Sequence, residues 1–107
     1  MRADISNQEA IDPKIRIIIA WLEEETGLEF TETSRHRKDG NGVHTTWPVR
    51  GIDFRMRSRA IGKAIEKFIN DTWEYDEERP EKGCCLLHGK GSNMHLHIQV
   101  HRNTKKR

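Results

Sequence analysis

Histidine fills three of the four alternate positions 95, 97, 99 and 101 in Met94-His95-Leu96-His97-Ile98-Gln99-Val100-His101. Strand side chains point alternately to two faces. The pattern therefore predicts Leu96, Ile98 and Val100 on a core face, and His95, His97, Gln99 and His101 on the other. Strand propensity asks for no histidine here. Neighbouring imidazoles on one strand face suit metal binding or a proton relay; the plainer alternative is an exposed polar face that happens to use histidine. Catalytic zinc commonly takes three protein ligands and leaves a position for water. Two more residues qualify as ligands. His44 lies in a long loop, 34–48, that contains Asp39-Gly40-Asn41-Gly42, and such loops in small domains are uncommon unless functional. Asp53 sits in Gly51 to Arg55 on the face opposite Ile52 and Phe54, where a carboxylate is costly unless paired or metal-bound. Pairing with Arg50 or Arg55 is its simpler role. Together His44, Asp53 and His97 make a His₂Asp set that suits zinc.

The elements that must position these residues are legible in outline. Residues 1–11 read as a flexible lead-in, 12–101 as one domain and 102–107 as a basic, solvated tail. Asp12-Pro13 starts a helix whose apolar positions are Ile15, Ile18, Ile19 and Leu22 and which Gly27 stops. Leu28 to Thr33 and Gly51 to Arg55 read as strands. Ser58 caps a second helix with Ile61, Ala64, Ile65, Phe68 and Ile69 on its apolar face. Asn70 to Gly83 is expected as a loop. Cys84 to His88 and Met94 to His101 form a hairpin around Gly89-Lys90-Gly91-Ser92-Asn93. The expected fold class is α+β: a small antiparallel sheet packed with two helices.

Composition narrows the function classes. Hydrophobic and charged residues each make up 34% of 107 residues, so the few apolar runs must supply the core. A net charge of +2 gives no mandate for nucleic-acid binding. No apolar run approaches the roughly 18 residues of a membrane helix, and the N-terminal residues lack a secretory pattern. The expectation is a monomer, cytoplasmic as synthesised, with no membrane or nucleic-acid partner. Cys84 and Cys85 are adjacent and read as small buried hydrophobes rather than as a disulfide or metal pair.

His44-Thr-Thr-Trp-Pro-Val-Arg50-Gly51-Ile52-Asp53, with His95-Leu96-His97 far downstream, resembles the signature of the D-alanyl-D-alanine carboxypeptidase/hedgehog-fold zinc peptidases. Arg50-Gly51-Ile52-Asp53 matches the strand that carries the acidic ligand, and the resemblance spans residues 28–101. It implies a hedgehog/DD-peptidase-like fold, a zinc ion on His44, Asp53 and His97, and cleavage of a peptide bond in peptidoglycan stem peptides. It further implies a substrate-binding arginine, Arg35, with His36 and Arg37 as alternatives, while His88 at a strand end is placed to contact substrate. Zinc in such a site supplies an acidified water and polarises the scissile carbonyl. His95 would accept the proton and pass it to the leaving amine. A small hydrolase of this type suits a phage or prophage lysis or virion protein, reaching the wall only when released or carried there.

The sequence departs from that pattern in two places. The interval from His44 to Asp53 is longer than usual. Gly91, Ser92, Asn93 and Met94 offer no carboxylate where many relatives place a general base. A zinc-binding module without catalysis is therefore the first alternative. The second is a single-stranded DNA endonuclease of the His-hydrophobe-His type. Its tyrosine nucleophile would have to be Tyr75, which precedes the motif instead of following it.

Overall fold

The computed structural model describes residues 2–3, 11–34 and 50–107. Helix α1 (Pro13–Thr26) starts where the Asp12 side chain accepts from the Lys14 amide at 2.9 Å, with Pro13 in the first turn, where its missing N–H costs nothing. It ends at Gly27, whose φ of 70° suits glycine and whose N–H closes on the Glu23 carbonyl. Ile15, Ile18, Ile19 and Leu22 are its buried face. Helix α2 (Arg59–Thr72) starts with Ser58 Oγ accepting from the Ile61 amide. It buries Gly62, Ile65 and Ile69, whereas Ile61, Ala64 and Phe68, expected on that face, are exposed. The reason is a close approach at Gly62. A Cβ there would lie 2.9 Å from Leu87 Cδ1 and 3.0 Å from Met56 Cγ, so this side of α2 meets the sheet and the flanking positions turn outward.

The main sheet contains β1 (Arg2–Ala3), β2 (Thr31–Ser34), β3 (Gly51–Arg55), β5 (Cys85–His88) and β6 (His95–Gln99), in the order β1-β2-β3-β6-β5. Strands β2, β3, β6 and β5 are antiparallel, and β1 pairs parallel to β2. The fold is α+β, a small antiparallel sheet packed with two helices. Ile52, Phe54, Cys85, Leu87, Leu96 and Ile98 share one buried cluster with the apolar faces of both helices. The opposite sheet face carries the histidines.

Three contacts hold the edge of this sheet. Asn70 donates through Nδ2 to the Cys85 carbonyl at 2.9 Å and accepts the Cys85 N–H on Oδ1 at 3.0 Å. One turn earlier on α2, Glu66 Oε2 accepts the Leu87 N–H at 2.7 Å. Three outward backbone groups of β5 are thus satisfied by a helix, which also hinders edge-to-edge pairing with another chain.

The segments expected as loop and tail are more ordered than composition suggested. Helix α2 continues to Thr72, and β4 (Trp73–Glu74) pairs antiparallel with β7 (Lys105–Lys106) in a separate ribbon. Trp73 and Tyr75 are buried. Thr104 Oγ1 donates to the Tyr75 carbonyl at 2.8 Å and accepts from the His101 amide at 2.8 Å, which anchors the basic end. Cys84 and Cys85 are free and buried, and the low-dielectric surroundings push both thiols up, Cys84 to about 11. Among the described residues no helix is long and apolar enough to cross a membrane.

Candidate functional site

Strand β6 occupies an interior position in the sheet, and its register decides what meets the histidines. Asp53 of β3 lies opposite His97, Arg55 opposite His95, Leu86 of β5 opposite His97 and His88 opposite His95. Cross-strand partners share a face. The sheet therefore collects Asp53, Arg55, Leu86, His88, His95, His97 and Gln99 on its outer side. A bulge in β2 between Glu32 and Ser34 lies beside Asp53, and Thr33 Oγ1 approaches the Asp53 carbonyl at 3.4 Å. Bulges of this kind commonly stand next to functional groups.

Between β3 and β6 on this face, His97 Nδ1 approaches Asp53 Oδ1 to 2.9 Å, with side-chain exposures of 15% and 21%. Both groups are held yet open to solvent. His97 Nε2 lies 3.2 Å from Gln99 Oε1, and Gln99 Nε2 donates to the Gly83 carbonyl at 2.9 Å. The Gly83 carbonyl can only accept, so it sets the orientation of the Gln99 amide. Oε1 must then take the hydrogen of His97 Nε2. Nδ1 is the nitrogen aimed at Asp53, whose carboxylate can only accept, so the 2.9 Å contact is a hydrogen bond donated by Nδ1, and a metal would take the place of that hydrogen. A metal-bound imidazole in proteins almost always has its other N–H held in this manner.

His95 is fixed by a different contact. Its Nδ1 lies 2.8 Å from the Asn93 carbonyl, another pure acceptor, so Nδ1 carries the hydrogen in the neutral ring and Nε2 keeps its lone pair. Nε2 stands 4.0 Å from Asp53 Oδ1. The exposed His88 ring stacks on His95 with centroids 5.0 Å apart and 22° between planes, and meets His97 edge-on at 6.5 Å. His88 therefore braces the His95 ring.

Of the residues read from sequence as a site, Asp53, His88, His95 and His97 converge on one face. His44 and Arg35, together with Trp47 and the rest of the loop around them, lie outside the described residues. Among the described residues no group of three histidine, cysteine or carboxylate side chains is arranged to hold a metal; the pair Asp53–His97 supplies two donors.

His101 departs from expectation. Strand β6 ends at Gln99, and His101 turns to Asp76, with Nδ1 3.6 Å from Oδ2. Asp76 is only 2% exposed and accepts from the Glu78 amide and from Asn103 Nδ2, both at 3.1 Å. Sequence reasoning also missed two members of the site. Gln99 was placed on the correct face without a role, and only its tether to Gly83 reveals one. Leu86, given no role within the strand expected from Cys84 to His88, is 50% exposed beside His97; the alternation of β5 is the available signal.

The fold and this face define a small α+β domain with a histidine–carboxylate cluster on an open sheet surface. Compared with protein-family models, with curated proteins and with solved structures, the chain matches none.

Proposed function

We propose that this chain is a zinc-dependent peptidase that cleaves a peptide bond in peptidoglycan stem peptides, of the D-alanyl-D-alanine carboxypeptidase/hedgehog-like type. The observation that carries the reading is the 2.9 Å approach of His97 Nδ1 to Asp53 Oδ1 on neighbouring strands. Nitrogen and carboxylate oxygen are a donor pair that suits zinc. His97 presents Nδ1 because Gln99 holds its other nitrogen. His44 is the third ligand in this proposal. Zinc bound there would supply Lewis acidity and an acidified water.

The chain's own groups divide the remaining work. His95 holds a lone pair on Nε2, toward Asp53, and is the proton acceptor. His88 keeps the His95 ring in place and meets substrate at its exposed edge. Leu86 gives the substrate an apolar surface next to His97. Arg35 holds a substrate carboxylate or the developing oxyanion.

The test is zinc content and cleavage of purified peptidoglycan by the full chain and its variants. One equivalent of zinc is expected, lost in His97→Ala and in Asp53→Ala. His95→Gln should retain zinc and lose turnover. Full zinc in His97→Ala would remove the ligand assignment. Zinc at one equivalent with no hydrolysis of any wall fragment would favour the second reading, a non-catalytic zinc module. The absence of a carboxylate in Gly91, Ser92, Asn93 and Met94 speaks for that reading. The nuclease reading is weakened by Tyr75, its required nucleophile, which is 3% exposed.

A further inference from the structure

Beyond Asp53 the chain leaves β3 through Arg55, Met56 and Arg57 before Ser58 starts α2. Extended backbone alternates its side chains. Met56 turns inward and is buried, while Arg55 and Arg57 are exposed. Facing them is the turn between β5 and β6. Arg59 Nη2 donates to the Gly89 carbonyl at 3.1 Å and ties that turn to the start of α2. The two segments enclose a groove of about 420 Å³ lined by Arg55, Met56, Arg57, Gly91, Ser92 and Met94. This volume lies within the range of small-molecule sites, roughly 300–1,000 Å³.

The lining has a definite chemistry. Two guanidinium groups and one hydroxyl form the walls, and two buried methionines, Met56 and Met94, contribute adaptable apolar surface. Among the described residues no carboxylate lines it. A second cavity shares the same arginines but also has Glu29, with Leu28, Phe30 and Ile61, in its lining. The groove has a fixed relation to the histidines as well. Arg55 is the register partner of His95 and lies two residues beyond Asp53 on one strand. Paired strands stand about 4.8 Å apart, and an extended peptide advances about 3.3 Å per residue. A ligand anchored in the groove therefore reaches His95 within a residue or two.

The geometry points to a binding subsite in this groove for a peptide carboxylate, held by Arg57 and Arg55 with the adjoining aliphatic portion on Met56 and Met94. The guanidinium fork matches a carboxylate with two parallel hydrogen bonds. The groove as an anion site stands on its own lining; that the anion belongs to a peptide presented to the histidines rests on the peptidase reading, in which Arg35 then takes the oxyanion. The carboxylate is either a chain terminus or an acidic side chain, and the experiment separates the two.

The test is a binding titration followed by NMR, using the full chain. The probes are acetyl-Lys-D-Ala-D-Ala, its C-terminal amide, and the amide with D-Glu in place of the final residue. A charged hydrogen-bonded contact predicts that the acid binds roughly tenfold or more tightly than the amide. Tight binding of the D-Glu amide instead would assign the subsite to a side-chain carboxylate. Arg57→Gln should abolish the preference and Arg57→Lys should restore part of it, with thermal unfolding showing that each variant is folded. His97→Ala should keep the preference, since the metal ligands are not part of the groove. Equal binding of acids and amide, an undiminished preference in Arg57→Gln, or tighter binding of a thymidine oligonucleotide through Arg57 would each overturn the proposal. Retained preference without wall cleavage would uphold the subsite and overturn the peptidase reading alone.

Discussion

Asn70→Ala isolates the contact that ties α2 to the edge of the histidine-bearing sheet. In the native chain one amide side chain satisfies both outward groups of Cys85, at 2.9 and 3.0 Å, and Cys85 is buried. Removing it leaves one N–H and one C=O at a buried edge, and each unsatisfied group costs about 1–3 kcal/mol. Alanine returns about 0.5 kcal/mol through its better helix propensity. Water reaching the partly open edge offsets a further share. The net loss works out at about 2–3 kcal/mol, a large fraction of the roughly 5–15 kcal/mol that holds a domain folded. For a domain of this size it lowers Tm by about 10–20 °C. The assay is urea unfolding at constant m value, with hydrogen exchange of the Cys85 amide as the local probe. Asn70→Asp separates hydrogen bonding from volume. It retains an acceptor for the Cys85 N–H but sets a carboxylate oxygen against the Cys85 carbonyl, so it should lose at least as much as alanine. Gly83 provides a further control. A Cβ on Gly83 would stand 2.7 Å from Asn70 Oδ1, so Gly83→Ala should be harmful in the native background and milder beside Asn70→Ala. A loss below about 1 kcal/mol for Asn70→Ala, or unchanged protection of the Cys85 amide, would refute the clamp.

Gln99→Leu should weaken zinc binding about 10–100-fold, because His97 loses the group that holds its second nitrogen; competition with a chromophoric chelator measures it, and unaltered affinity would remove Gln99 from the site. Asp76 should make the fold acid-sensitive. The Glu78 amide foremost, then Asn103, His101 and Arg79, hold its carboxyl below the ordinary 3.8 against the opposing effect of burial. A depressed native value stabilises the fold above the unfolded-state value, and the contribution is lost as pH falls from there through the native value. Acid titration of stability should accordingly be shallower for Asp76→Asn than for the native chain below about pH 4, and identical slopes would exclude this role. Burial pushes the Cys84 thiol up to about 11 and that of Cys85 higher still. Neither thiol should react with iodoacetamide at pH 8 in the folded chain, and both should react in urea, as mass spectrometry can determine; fast labelling of the native protein would contradict the burial.

Local signals were enough to bound α1 and to start α2, whereas the end of α2 at Thr72 lies inside the segment expected as a loop. Asp12-Pro13 and Gly27 bound α1, and Ser58 starts α2, because caps act through groups within a few residues of each other. The alternation from Leu96 to Val100 correctly gave the buried face of β6, since a half-buried strand has a period of two. The same rule misassigned His101, because no property of residues 94–101 marks where pairing stops. Asp76, distant in sequence, supplies the partner that takes His101 away. Helix α2 illustrates a similar limit. Apolar spacing proposed Ile61 and Phe68 for its inner face, while contact with Leu87 and Met56 at Gly62 chose a different side.

By itself the sequence determined the fold class, both ends of α1, the start of α2 and the strand that carries His95 and His97, all of which depend on near neighbours along the chain. Tertiary structure alone decided that Asp53 lies beside His97, that Gln99 is anchored by Gly83 and that the basic end pairs with Trp73 and Glu74. Each of these depends on strand register or helix rotation. Such quantities are set by how distant apolar surfaces pack together, and no local pattern encodes them.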